Sequence, residues 1–239
     1  MIRLLKRLSL FNSSRFRLYE ENRNFAKSIP QKSIVLDAGA GSQFYKHLLK
    51  HAQYESADFE KVDKEYAQST YVCDLKNIPV ENDHFDYILF NQVMEHLPEP
   101  NKVLRELNRV LKSNGKIIYT GPLFYEEHEI PYDFFRYTQF SLKKMFSESG
   151  FEIERLDWLE GYFGTIGYQL NRMAIYLPTN PKDLGKGIMG YFMSPIMFFL
   201  KIFSWGLSIF FHKLEVKVKY TKSGYPKNYV GIFRKVNNL

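Results

Sequence analysis

Cysteine is almost absent from this chain: of 239 residues, only one is a thiol, Cys73. A lone thiol excludes an intramolecular disulfide and a cysteine-based zinc site, and it fits a reducing compartment. There is no internal repeat, no low-complexity tract and no signal-peptide pattern. Arg3, Lys6 and Arg7 break up the apolar positions from Met1 to Leu8, and no small-residue cleavage site follows. Nor is there a long apolar run free of polar residues. The most apolar stretch, Ile188 to Phe211, is interrupted by Ser194, Pro195, Lys201, Ser204 and Ser208. A lysine at the centre of a spanning helix costs roughly 2.5–3.5 kcal/mol, so a simple transmembrane helix is the second choice for that stretch.

Hydrophobic residues at 45% and charged residues at 25% describe a folded chain rather than a disordered one. Its length suits one core with an appendage. Aromatic residues reach 17%, many of them after Tyr119, which calls for a thick core, a binding pocket or a membrane-facing surface. The net charge of +7 favours anionic partners.

Leu4, Leu5, Leu8 and Phe11 recur at helical spacing with basic residues opposite, so a basic amphipathic helix is expected there, and a second basic helix from Arg15 to Lys27. From Ser33 strands and helices alternate. Ser33 to Leu36 reads as a buried parallel strand, followed by a glycine-rich turn and a helix through about Lys50. Tyr54–Asp58 and Phe85–Phe90 are further strands. Val103, Leu104, Leu107, Val110 and Leu111 make a helical stripe between Pro100 and Lys112, stopped by Asn114-Gly115, and Lys116 to Thr120 is the next strand. A helix from Ser141 to Ser149 ends at Gly150, and strands follow at Phe151–Leu159 and Asn228–Phe233. The expected architecture is α/β: a Rossmann-like, doubly wound, mostly parallel sheet with an antiparallel last strand and a hydrophobic helical insertion before it. The boundaries are residues 1–28 for the N-terminal helical segment, 29–160 with 227–239 for the sheet domain, and 161–226 for the insertion.

Asp37-Ala38-Gly39-Ala40-Gly41-Ser42 follows the first strand, and glycine there lets the backbone turn tightly and approach a ligand closely. A nicotinamide fingerprint would want glycine where Phe44 stands, and the Gly-Lys-Ser/Thr of a P-loop is missing. Asp58 closes the second strand about twenty residues after the first glycine, where an acidic side chain binds ribose hydroxyls. Together with Cys73-Asp74-Leu75, Phe85-Asp86-Tyr87-Ile88, Val93-Met94-Glu95-His96-Leu97 and the run Arg105 to Gly115, this series resembles class I S-adenosylmethionine-dependent methyltransferases, especially the small-molecule branch that includes quinone-biosynthesis enzymes. The resemblance covers residues 33–159. It implies that Asp37, Gly39 and Gly41 cradle the methionine part of S-adenosyl-L-methionine, that Asp58 holds the ribose, that Asp74 and Leu75 flank the adenine, and that Asn91 and Gln92 line the cofactor near its sulfonium. Gln43 departs from the glycine commoner in the family. Glu95-His96 is expected to be architectural, and no metal is expected.

Methyl transfer from a sulfonium is an in-line displacement, so the protein mainly aligns two reactants; a base is needed only for a poorly acidic hydroxyl. Candidate groups belong at the carboxyl edge of the sheet, and Glu126 to Thr138 concentrates them just past the fifth strand. Its His-Glu-x-Pro-x-Asp-x-x-Arg-Tyr-Thr pattern is similar to one in methyltransferases encoded with bacterial surface-polysaccharide enzymes. The resemblance marks His128 as a general base, with Asp133 and with Arg136 as a phosphate or carboxylate anchor; the alternative is an Asp133–Arg136 pair bracing a loop. Tyr132 and Tyr137 stack on a sugar or fill the core.

In the insertion, Ser194, Lys201, Ser204, Ser208 and His212 share one helical face, leaving Phe198, Phe199, Ile202, Trp205 and Phe210 on a wide apolar one. With Lys182, Lys186, Lys213, Lys217 and Lys219 around it, an interfacial helix or hairpin is expected; a lid over the acceptor or a homodimer interface is the alternative. The expected activity is O-methylation of a small-molecule or lipid-linked glycan acceptor at the cytoplasmic face of the cell membrane. A quinone-like or lipid precursor, or an inactive nucleotide-binding module, are the alternatives. Nucleic acid is not expected as a partner, because no Asn-Pro-Pro-Tyr or Pro-Cys motif occurs and Asn91-Gln92 stands in that region.

Overall fold

The computed structural model describes residues 12–62, 65–185 and 187–236; the helix expected around Leu4 to Phe11 lies outside them. The chain divides into two compact units, Leu18–Leu159 with Asn228–Leu239, and the residues up to Arg17 with Glu160–Lys227. The expected N-terminal segment of residues 1–28 is therefore not separate, since Leu18 onward belongs with the sheet.

The first unit is built on seven strands: β1 (Ile34–Ala38), β2 (Gln53–Asp58), β3 (Tyr71–Val72), β4 (Phe85–Asn91), β5 (Leu111–Pro122), β6 (Phe151–Trp158) and β7 (Asn228–Lys235). Their order is β3-β2-β1-β4-β5-β7-β6. The pairs from β3 through β5 are parallel, and β7 runs antiparallel to both β5 and β6. This is the Rossmann-like α/β architecture expected from the alternation, with its antiparallel last strand and a long helix before it.

Side chains on a strand alternate between faces, and β1 shows what that accomplishes. Leu36 and Ala38 pack into a core with Ile88, Phe90, Leu104, Leu107, Ile117 and Phe146, while Val35 packs on the other side with Phe25, Ala26, Ile29, Leu89 and Ile118. Helix α1 (Ser13–Ser28) supplies Phe25 and Ala26; α2 (Pro100–Val110) and α3 (Gln139–Glu148) contribute to the opposite core. Pro100 opens α2, where a missing N–H is harmless. The Thr138 hydroxyl accepts the Ser141 N–H at 3.3 Å to cap α3, and Gly150, at φ +83°, follows its end.

Two local expectations fail for backbone reasons. No helix runs through Lys50; only a 3-10 turn, Lys46–Leu48, forms after the glycine segment. Gly41 and Gln43 both have positive φ, which interrupts any helical ladder beginning there. Strand β5 starts at Leu111 rather than Lys116, and Asn114-Gly115 lies inside it where the β4–β5 register shifts.

In the second unit α4 (Tyr162–Tyr176) and α5 (Ile188–Lys217) form an antiparallel hairpin. Its direction follows from its hydrogen bonds. Ser194 Oγ donates to the Thr179 carbonyl, Lys201 Nζ to Ile175 at 3.0 Å, and Ser208 Oγ to Gly167 at 2.8 Å. The Glu215 carboxylate accepts the N–H groups of Gly161 and Gly164 at 2.8 and 3.2 Å. It thereby satisfies donors at the start of α4, whose N-cap, Gly161, has no side chain to do so. A Cβ on Gly167 would come within 2.9 Å of the His212 ring, so glycine permits this approach. The polar stripe of α5 thus faces inward: Ser204, Ser208, His212 and Glu215 are buried, whereas Phe192, Phe198, Phe199, Ile202, Phe203, Trp205 and Phe210 are exposed.

Candidate active site

Strand order reverses between β1 and β4, and in open α/β sheets the crevice beyond the carboxyl ends of such strands receives ligands. A cavity opens there. Its wall includes Gly39, Asp58, Phe59, Asp74, Leu75, Gln92, Val93, His96, Tyr132 and Phe134.

The turn after β1 is shaped by three positive-φ residues, Gly39, Gly41 and Gln43. Gly39 sits at φ +77°, and a Cβ there would come 2.4 Å from the Val93 side chain. Gln43 occupies a left-handed conformation at φ +54°, which explains why glycine suits this position. The chain offsets that strain with side-chain bonds: Gln43 Nε2 donates to Ser56 Oγ at 3.1 Å and to the Gln68 carbonyl at 2.7 Å. Asp58 Oδ2 accepts the Gly41 N–H at 2.8 Å and Oδ1 that of Glu60 at 3.1 Å, fixing the loop against β2. A carboxylate has about four acceptor sites, so two remain for ligand hydroxyls.

Five of the eight residues expected around the cofactor converge on this wall: Gly39, Asp58, Asp74, Leu75 and Gln92. Asp37, Gly41 and Asn91 are not part of it. Asp37 accepts the Tyr54 hydroxyl at 2.7 Å; burial pushes its carboxyl up to about 6, opposed by that hydrogen bond and reinforced by the charge of Asp58. Asn91 belongs to a polar cluster, donating to Asn22 at 2.9 Å and accepting the Thr120 hydroxyl at 2.9 Å. Of the two residues expected near the sulfonium only Gln92 lines the cavity; its φ of +54° turns the chain there, and its buried Nε2 has no hydrogen-bond partner among the described residues. An orphaned amide donor and a glycine turn on one wall fit the cofactor the resemblance implies.

The expected catalytic trio divides. Arg136 is a brace: its Nη1 and Nη2 reach Asp133 at 2.6 and 2.7 Å, and they also donate to the carbonyls of Phe135 and Glu126 at 2.8 and 3.1 Å. Both terminal nitrogens are thus engaged by Asp133 and backbone carbonyls, and Nε is buried. Burial works against the charge on Asp133, but Arg136 and the His128 N–H hold its carboxyl down at about 2. His128 lies 3.3 Å from Asp133 Oδ2 and packs edge-on against His96, ring centres 4.6 Å apart. It is His96, not His128, that reaches the cavity wall. Of the two tyrosines, Tyr132 lines the cavity and Tyr137 is buried, bonded to the Met94 carbonyl at 3.2 Å.

His96, expected with Glu95 to be architectural, stands just past β4, a position that is itself a signal of a site residue. His96 Nδ1 donates to the Tyr132 carbonyl, which leaves Nε2 as its acceptor nitrogen, and burial lowers its pKa. Glu95 is wholly buried; among the described residues no other residue hydrogen-bonds either carboxylate oxygen, and burial pushes its carboxyl up to about 8.

A family model described as a methyltransferase domain matches residues 11–156. A tRNA (carboxymethyluridine(34)-5-O)-methyltransferase of Arabidopsis thaliana is 30% identical over 117 residues, 46% of this chain and 29% of that protein. A demethylmenaquinone methyltransferase of Staphylococcus saprophyticus is 26% identical over 126 residues, 50% of this chain and 49% of its own length. The match thus spans half or less of these curated relatives. Among solved structures, Haemonchus contortus phosphoethanolamine N-methyltransferase 2 in complex with S-adenosyl-L-methionine superposes with a TM-score of 0.54 at 16% identity, over 91% of this chain and 53% of that one, a likeness of fold. Matched by its family over more than half its length, the chain belongs to the methyltransferase-domain family of class I S-adenosylmethionine-dependent enzymes.

Proposed function

We propose that this protein transfers the methyl group of S-adenosyl-L-methionine to an oxygen of a small-molecule acceptor, with a lipid-linked glycan intermediate as the favoured class. The observation carrying this reading is the single cavity that joins Gly39, Asp58, Asp74, Leu75 and Gln92 to the His96 imidazole and the aromatic side chains of Phe59 and Tyr132. The first group suits the cofactor and the second suits an acceptor. The cofactor supplies an activated methyl on a sulfonium. The backbone at Gly39 and the orphaned Gln92 amide would hold its amino-acid end, Asp58 its ribose hydroxyls, and Asp74 with Leu75 its base. The aromatic walls exclude water and orient the acceptor, which matters most in a displacement governed by alignment. His96, which lines the cavity and keeps Nε2 as its acceptor nitrogen, would take the proton of an acceptor hydroxyl, and His128, positioned by Asp133, packs against it from outside the wall.

The outward apolar face of α5 supports a membrane surface as partner, with the cytoplasmic side proposed, and a lipid-linked acceptor would then share that surface. By length and composition α5 is also apolar enough to span a bilayer, but the inward lysine and serines favour a hairpin lying in the interface. A quinone-like acceptor is the second reading, favoured by the demethylmenaquinone relative.

Calorimetry with S-adenosylhomocysteine tests the cofactor claim. Wild type should bind, and Asp58→Ala should weaken binding roughly 10- to 100-fold, as expected for loss of charge-assisted hydrogen bonds worth about 1.5–3 kcal/mol. A thermal melt confirms the variant's fold. Absence of wild-type binding overturns the proposal.

A further inference from the structure

Glu95, His96 and His128 each offer one donor atom, and the three atoms lie within 4.8 Å of one another. Three observations make this a built site. Glu95 is wholly buried, and among the described residues no other residue hydrogen-bonds its carboxylate, so an ionised carboxylate there stands without a compensating partner. His96 is fixed by donating Nδ1–H to the Tyr132 carbonyl, leaving its Nε2 3.9 Å from Glu95 Oε1. His128 is oriented from behind by the Asp133 carboxylate and the Glu126 carbonyl, at 3.3 and 3.2 Å from its Nδ1. Imidazoles held by carbonyl and carboxylate oxygens are the usual surroundings of metal-binding histidines.

We infer that Glu95, His96 and His128 bind a divalent first-row transition ion of the zinc type, with an open coordination position facing the cavity that His96 lines. Two imidazoles and one carboxylate select such ions over calcium or magnesium, which prefer all-oxygen shells. Zinc bonds of about 2.0–2.2 Å require the donors to draw closer than they stand, a movement that the side chain of His128, on its loop, can provide. Asp133 pairs with the nearby Arg136, which offsets that cation's repulsion of the ion. The inference departs from the expectation that this chain holds no metal.

The ion's role, though not its binding, rests on the methyl-transfer reading. An acceptor hydroxyl at the open position would be acidified. Its O–H bond breaks with the proton passing to solvent, an oxygen lone pair forms the new C–O bond, and the C–S bond breaks with its electrons going to sulfur.

The test is cobalt binding to the full chain after chelator treatment. We expect one Co2+ per chain with visible d–d absorption, displaced by Zn2+. Glu95→Gln and His128→Ala should each weaken uptake by at least about 10- to 100-fold, with melting curves showing that the variants fold. Wild-type protein without stoichiometric uptake, or uptake unchanged in both variants, overturns the site. Cobalt uptake in protein that fails to bind S-adenosylhomocysteine upholds the metal site and removes its role; cofactor binding without cobalt uptake removes the metal site alone.

Discussion

The two units of this protein solve opposite packing problems. In the sheet unit, Phe85, Phe90, Phe146 and Phe233 are sealed inside and the ionisable groups gather at the rim of the cavity. In the hairpin, Ser204, Ser208, His212 and Glu215 lie inside while phenylalanines and Trp205 face outward. Hydrophobic burial holds the first together. The second is held by side-chain bonds to backbone carbonyls and N–H groups, a device that suits surroundings in which apolar side chains need not hide. The proposed membrane contact rests on this exposed apolar face.

The largest effect that can sharpen the contrast is in the sheet core. Phe146 is fully buried and stacks on Phe233 with ring centres 3.7 Å apart. Phe146→Ala should cost about 3–5 kcal/mol in urea unfolding, enough to threaten a domain of ordinary stability. A loss below about 1 kcal/mol would show that the core is not what holds the sheet unit together.

A smaller effect separates the units by pH. Asp133 titrates at about 2 when folded against 3.8 otherwise, because Arg136 and the His128 N–H outweigh its burial. A depressed carboxyl contributes stability above about pH 4 and loses it as pH falls through 2; the shift corresponds to about 2 kcal/mol. Glu215 has the opposite sign. Burial raises its pKa, so its contribution is fully present below the ordinary carboxyl range and declines as pH rises through the folded value. Urea unfolding from pH 5 to pH 2 should show Asp133→Asn lacking part of the wild-type acid slope, while Glu215→Gln retains it. Identical slopes in wild type and Asp133→Asn would dissolve the distinction.

How far the sequence carried the reading depends on whether the signal was local. Strand β1, the stripe on α2 and the Gly150 stop were legible because periodicity and a terminating residue sit within a few positions of one another. The glycine turn was legible too, although not its tolerance of Gln43, which depends on Ser56 and Gln68 from other parts of the chain. The Asp133–Arg136 brace was legible as one of two alternatives from the spacing of the charges, but the carbonyls of Phe135 and Glu126 that complete it are supplied by the folded loop. The meeting of Glu95, His96 and His128 spans more than thirty positions and leaves no spacing to read. In α5 the sequence separated a polar face from an apolar one; only contacts with α4 show that the polar face is the buried one.

That inversion supplies the finest test, because it predicts almost no change in stability where a residue of the same type in the sheet core is indispensable. Phe199→Ser with Phe203→Ser should alter unfolding by no more than about 0.5 kcal/mol per site, both side chains being exposed. The same double variant should abolish flotation with liposomes. Wild type should float better with anionic than with neutral vesicles, since each of Lys182, Lys213, Lys217 and Lys219 near an anionic surface contributes about 1 kcal/mol. Wild-type protein that stays at the bottom of the gradient removes the membrane from the account. A loss of several kcal/mol in the variant would instead mean that this face is covered within the protein's own assembly, and the two units would then obey a single packing rule after all.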